Sequence, residues 1–174
     1  MFIVYLYQII IHKQFKPVQP QNVKTAGKPM KKIPLISLSK SKSDFTKKKI
    51  TNHQEAVDYI RQFYSDDIGI YESFFILLLN RANGTIGYAK ISQGGIVGTV
   101  VDTKIICKYV VESLACGVIL CHNHPSGNTK PSEADMRITK QIIEAGKILE
   151  FQVLDHIILT EEESYSFNEN DLLF

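Results

Sequence analysis

Gly117-Val118-Ile119-Leu120-Cys121-His122-Asn123-His124-Pro125-Ser126-Gly127 is the stretch on which the reading of this chain turns. A short apolar β-like run, Gly117 to Leu120, leads into two imidazoles two residues apart. Side chains alternate along a strand, so His122 and His124 share one face if the extended conformation persists. A helical period follows, and Pro131-Ser132-Glu133-Ala134-Asp135 is good chemistry for a helix start. Asp135 comes eleven residues after His124. One turn into the helix, its carboxylate can swing back over the histidine face. Two neutral imidazoles and one carboxylate make a three-ligand metal site. A catalytic zinc ion needs a fourth, open position for its water. Iron, manganese or cobalt would accept the same ligands.

The spacing reads His-x-His, seven residues, Ser132, two residues, Asp135. An acidic residue, Glu72, opens the earlier apolar run Glu72-Ser73-Phe74-Phe75-Ile76-Leu77-Leu78-Leu79. Together these positions resemble the JAMM motif of the JAB/MPN metalloprotease-like superfamily. His-Asn-His-Pro-Ser-Gly with Pro131-Ser132-x-x-Asp135, and Leu154-Asp155-His156-Ile157-Ile158-Leu159, resemble its bacterial RadC-like branch. The resemblance covers residues 51–174. It implies an α/β fold, a mixed β-sheet flanked by helices, related in layout to the deaminases. It also implies one Zn2+ held by His122, His124 and Asp135 with a water as fourth ligand. Glu72 would be the general base and acid, and Ser132 would donate to the oxyanion. The implied activity is amide-bond hydrolysis of a peptide or protein substrate, as in metallopeptidases and isopeptidases. All five positions carry the expected residue type.

Other motif readings fail on their letters. An HNH nuclease disperses its residues over a ββα-metal motif and does not carry them as a tripeptide. Zinc deaminases need His-x-Glu and a later Pro-Cys-x-x-Cys; here the third residue is His124, and the chain has no Cys-x-x-Cys. Gly94-Gly95 with Gly98 lacks the Lys-Ser/Thr of a phosphate loop. Asp155 and His156 sit in an apolar run, where a polar pair needs a reason. Support of the metal site from behind and a satisfied core pair both answer that need.

Net charge is +2, but it is unevenly spread. Residues 1–50 hold eleven Lys and one Asp, giving +10; residues 51–174 give −8. The chain therefore divides into a basic arm or linker, 1–50, and an acidic domain, 51–174. Such an arm can contact phosphate backbones or anionic lipid, or lie solvated beside its own domain. It is what favours the rival reading, a DNA-associated factor in which nucleic acid binds through the arm. A third reading is a metal-stabilised interaction module without turnover. Three cysteines, Cys107, Cys116 and Cys121, fit buried free thiols in a reducing, cytoplasmic setting better than a disulfide scaffold. Alternation turns Cys121 away from His122. Met1 to Ile11 is apolar but shorter than the ~20 residues of a membrane span, and it fits a signal peptide poorly. It reads as an edge strand or as sequence ahead of a start at Met30. The sequence does not fix the oligomeric state.

The coarse layout places a linker over 12–32 and an edge-strand candidate at Ile33 to Leu38. A helix follows, capped by Thr51 with Gln54 and striped by Ala56, Ile60, Phe63 and Tyr64, ending at Asp66-Asp67-Ile68-Gly69. Glu72 to Leu79 and Thr85 to Ile91 form a hairpin through Asn83-Gly84. A strand is expected at Ile96 to Val101. A helix follows from Lys104 to Cys116, with Ile105, Val110 (or Tyr109) and Leu114 inward. Gly117 to His122 is the central strand. The next helix spans Ser132 to Leu149, with Ile138, Ile142, Ala145 and Leu149 inward. Strands at Phe151 to Leu159 and Tyr165 to Phe167 complete the domain. The small residues of Gly94 to Thr99 would let an extended peptide pair beside a strand, so a bulky residue at Gly98 should weaken peptide binding.

Overall fold

The computed structural model describes residues 41, 44–65, 68–94 and 100–173. Most of the basic arm, the Ile33 to Leu38 strand, Met30 and the peptide-pairing stretch beyond Gly94 lie outside the described residues. So does most of the Ile96 to Val101 strand. Its last two residues, Val100 and Val101, belong to no strand.

Five strands form one mixed sheet: β1 Ser73–Leu79, β2 Thr85–Gln93, β3 Gly117–Asn123, β4 Gln152–Leu159 and β5 Ser164–Ser166. Their order is β2-β1-β3-β4-β5, which puts β3 at the centre. β1 pairs antiparallel with β2 and with β3. β3 and β4 run parallel, and a parallel pair needs a crossover between its strands. That crossover is helix α3, Glu133–Leu149. Every residue of β1 and of β3 is buried. Burying one Leu or Ile side chain contributes about 1.5–3 kcal/mol, so these apolar runs anchor the sheet.

Helices cover both faces. Helix α1, His53–Ile60, packs with Leu77, Leu79, Ile119, Cys121, Ile157 and Leu159 on one side. Helix α2, Thr103–Ser113, and α3 pack with Phe74, Ile76, Leu78, Val118 and Leu120 on the other. The alternation of β3 follows from this: Ile119 and Cys121 face α1, while Val118, Leu120 and His122 face α2 and α3.

Several local expectations shift. The α1 cap is Asn52, which accepts from the Glu55 backbone N–H, while Glu55 accepts from the Thr51 backbone N–H and hydroxyl. Asn52 replaces Thr51 because its short amide reaches Glu55 N at 2.9 Å. The helix passes into a single 3-10 turn, Arg61–Phe63, rather than running to Asp66. α2 buries Ile106 and Val110, leaving Ile105 partly exposed and Leu114 outside. Leu114 is the left-handed C-cap (φ 55°) and has left the helical stripe. α3 buries Asp135, Thr139, Ile142 and Gly146, a stripe with the expected four-three-four intervals rotated round the axis. The rotation puts two polar residues inward at the end where the site lies. At the other end, Gly146 lets the Phe151 carbonyl approach; a Cβ there would stand 2.6 Å from that oxygen. Of the three thiols expected to be buried, only Cys121 is: Cys107 is half-buried, and Cys116 is exposed because it lies past the end of α2.

Candidate metal centre

The centre is built at the C-terminal end of β3, where the strand leaves the sheet. His122 is the penultimate strand residue and is buried. His124 N–H still bonds the Leu159 carbonyl at 2.8 Å, so the extended geometry lasts just long enough to keep both rings on one face. A turn then closes, with Gly127 N–H to the His124 carbonyl and Gly127 at φ 77°, a conformation that costs glycine nothing. The chain returns at Ser132, which caps α3. Its hydroxyl accepts from Asp135 N–H while the Asp135 carboxylate accepts from Ser132 N–H, a capping box.

These elements converge on three side chains. His122 Nε2 lies 2.9 Å from His124 Nε2 and 3.2 Å from Asp135 Oδ1; His124 Nε2 lies 3.6 Å from Asp135 Oδ2. One ligand atom from each fits within 4.8 Å of the others. Tetrahedral zinc with bonds of about 2.0–2.1 Å holds neighbouring donors about 3.3 Å apart. The observed separations bracket that edge, so the donor set fits a small divalent ion.

Each ring turns its other nitrogen outward. His124 Nδ1 lies 2.6 Å from the Asn128 carbonyl, which can only accept, so Nδ1 is the protonated atom and Nε2 carries the lone pair in the neutral ring. His122 Nδ1 meets His156 Nε2 at 2.8 Å. Burial pushes the Asp135 carboxyl up, but hydrogen bonds from His122 and His124 outweigh it and hold the group well below the usual carboxylate range. The Asp135 bond raises His124 against the effect of burial, and the Glu72 charge adds a little. Desolvation, and then the neighbouring His122, hold His156 far below its ordinary value, so that ring is neutral.

Glu72 precedes β1 and is half-buried. It lines a cleft of about 300 Å³ with Phe74, Val101, Asp135 and Ile138. The sequence reading missed the residue that holds it there. Asn123, between the two histidines, faces the opposite side of β3 and is fully buried. Its amide donates to the Ile68 and Tyr71 carbonyls at 2.6 and 2.8 Å and accepts from Ser73 N–H at 2.8 Å. These bonds bracket Glu72 in sequence and fix its backbone. A polar residue at an inward position of an otherwise apolar strand was the available signal. Ser132 is less free than expected: its hydroxyl proton goes to Asp135 Oδ2 at 2.6 Å. Cys121 faces away from the centre, its Sγ 3.2 Å from the Tyr64 hydroxyl and its thiol pushed up to about 12 by burial. No helix among the described residues is long and apolar enough to cross a membrane.

A family model described as a RadC-like JAB domain matches residues 50–172. A UPF0758 protein of Flavobacterium johnsoniae is 46% identical over 120 residues, covering 69% of this chain and 52% of that protein. One from Coprothermobacter proteolyticus is 38% identical over 127 residues, covering 72% of this chain and 54% of the relative. One from Porphyromonas gingivalis is 32% identical over 158 residues, 90% of this chain and 66% of the relative. The chain thus spans about half the length of the first two of these relatives. Together with a mixed α/β sheet that gathers His122, His124 and Asp135, these matches show that the chain belongs to the RadC-like JAB domain family.

Proposed function

We propose that the chain is a zinc-dependent hydrolase of amide bonds, of the metallopeptidase or isopeptidase type, acting on a peptide or protein. The observation that carries this reading is the convergence of His122, His124 and Asp135, with the Nδ1 atoms of both rings engaged outward. That arrangement leaves the Nε2 lone pairs and the Asp135 carboxylate to hold the ion. Zinc supplies a Lewis acid that brings the pKa of a coordinated water to about 7.

Glu72 stands in the cleft that also opens on Asp135. As general base it takes a proton from the attacking water, and as general acid it returns that proton to the leaving amine. Asn123 keeps the segment carrying Glu72 in register with the histidines. Ser132 can turn its O–H from Asp135 Oδ2 toward a developing oxyanion, because the backbone arm of the capping box still holds the helix start. Phe74, Val101 and Ile138 give the cleft an apolar wall that excludes water from one side.

The test is elemental analysis of the purified chain beside Asp135→Ala and His124→Ala, followed by peptide and isopeptide cleavage with Glu72→Gln as control. About one zinc per chain, lost in both ligand variants while the fold persists, and cleavage abolished by Glu72→Gln, would support the reading. A wild-type chain that takes up no metal when zinc is supplied removes it. A Glu72→Gln chain that keeps its metal and the full activity of the wild type leaves a metal-stabilised module.

A further inference from the structure

His122 is held by a side chain where His124 is held by a backbone carbonyl, and the bonds behind that side chain run in one direction. Thr139 has one hydroxyl proton, which it donates to the Asp135 backbone carbonyl at 2.6 Å. Its oxygen is then the acceptor for His156 Nδ1–H, also at 2.6 Å. His156 has no solvent exposure, and a ring closed off from water with no carboxylate against it is neutral and carries one N–H. With that proton on Nδ1, His156 Nε2 is bare and accepts from His122 Nδ1–H at 2.8 Å. In the neutral ring, His122 Nε2 is then the atom with the lone pair. It is also the atom that faces His124 and Asp135.

The chain of bonds begins at one candidate ligand and ends on the backbone of another. His122 comes from β3 and Asp135 from α3, so the link through His156 of β4 and Thr139 of α3 ties three elements of the site into one ring. Ring stacking fixes the planes. Phe167 stacks on His156 with centroids 4.6 Å apart, and Phe74 lies parallel to His122 at 5.8 Å.

We infer that His156, acting with Thr139, is a positioning residue for the metal centre: it locks His122 in the tautomer that presents a bare Nε2 and spaces the strand ligand from the helix ligand. The inference rests on the reading of His122, His124 and Asp135 as ligands. Outer partners of this kind set ring orientation and basicity, and their loss costs about 10–100-fold in metal affinity.

The experiment is a titration of the metal-free, full 174-residue chain with Zn2+ against a competing chelator. The visible spectrum of the Co2+-loaded chain reports the geometry of the ligands. His156→Phe keeps an aromatic ring in the Phe167 stack but cannot accept from His122; it should bind zinc about 10–100-fold more weakly and change the cobalt spectrum. His156→Gln, whose amide can both accept and donate, should recover part of the affinity. Thr139→Val is of similar shape and removes the far acceptor together with the donor to the Asp135 carbonyl; it should weaken binding in the same direction by less. A folded His156→Phe chain with wild-type zinc affinity and spectrum overturns the inference. Should that variant fail to fold, wild-type affinity in Thr139→Val overturns it and a loss there supports it. The failure of the underlying reading looks different: the wild-type chain would then bind zinc no better than Asp135→Ala.

Discussion

Asp155 and His156 are neighbours in sequence and belong to opposite sides of the molecule. β4 sends His156 toward α3 and the candidate metal centre, where it bonds His122 and Thr139. It sends Asp155 toward α1, where the carboxylate accepts from the Ser166 hydroxyl at 2.6 Å and the Asn168 N–H at 3.0 Å and stands 3.6 Å from His53 Nδ1. Asn123 and His122 on β3 divide in the same way. One residue of each pair faces the candidate centre, and the other ties down the chain that frames it. Strand alternation sends a single polar pair to two separate environments, so the two faces should answer to different measurements.

The largest effect is expected at the centre itself. Glu72→Gln should lower amide hydrolysis by about 10²–10⁴-fold, the usual contribution of general acid–base catalysis, with metal content unchanged. Cleavage rate measured beside metal stoichiometry checks both halves of that statement.

On the far face of β4, Asp155→Ala should cost about 2–4 kcal/mol of stability. It leaves the Ser166 O–H and the backbone N–H groups of His156 and Asn168 without their acceptor. Urea unfolding measures the loss, and zinc affinity of the folded chain should stay at the wild-type value. If Asp155→Ala weakens zinc as strongly as His156→Phe does, the division between the faces is broken.

Asp155→Asn sharpens the comparison with a smaller effect. The amide can accept where Oδ1 accepts and can donate to Ser166 Oγ, so the cost should stay within about 1 kcal/mol. Burial raises the Asp155 pKa, against hydrogen bonds from Ser166, Asn168 and His156 that lower it. A folded-state pKa above the unfolded value of about 3.9 means that this group's contribution is fully present below that pH. It is lost as pH rises through the folded value. The difference in urea midpoint between Asp155→Asn and wild type should therefore shift in favour of the variant between pH 4 and 7. A difference that does not change with pH would remove the linkage.

The thiols give the smallest effect. Alkylation at neutral pH should be fastest at exposed Cys116, slower at Cys107, whose thiol burial raises, and slowest at Cys121. Mass spectrometry of partly labelled protein reads the order directly, and rapid labelling of Cys121 would mean that β3 opens.

The sheet was largely legible. Apolar runs such as Ser73–Leu79 and Gly117–Asn123 are too short for helices and lie between turn signals, so they read as buried strands, and Asn83-Gly84 marks the hairpin between β1 and β2. The His-x-His…Asp cluster was legible because strand alternation and one helix turn carry those side chains to a common point. Which face of each helix turns inward was not. Ile105 and Ile106 are equally apolar, and only the packing of α2 on β1 and β2 chose Ile106. The rotated stripe of α3 has the same origin: Thr139 is buried because an acceptor and a ring wait for it, which no hydropathy period records.

By itself, the sequence determined the α/β class, the central strand and the residues that gather at its end. These follow from local rules: alternation along a strand, 3.6 residues per helical turn, and the chemistry of a cap. The tertiary structure alone decided that His156 stands behind His122, that Asp155 does not, and that Asn123 holds the segment of Glu72. Those contacts join residues 34 and 50 or more positions apart, and no local rule specifies them. They exist because β3 lies between β1 and β4, and the order of strands in a sheet is set by the packing of the whole domain.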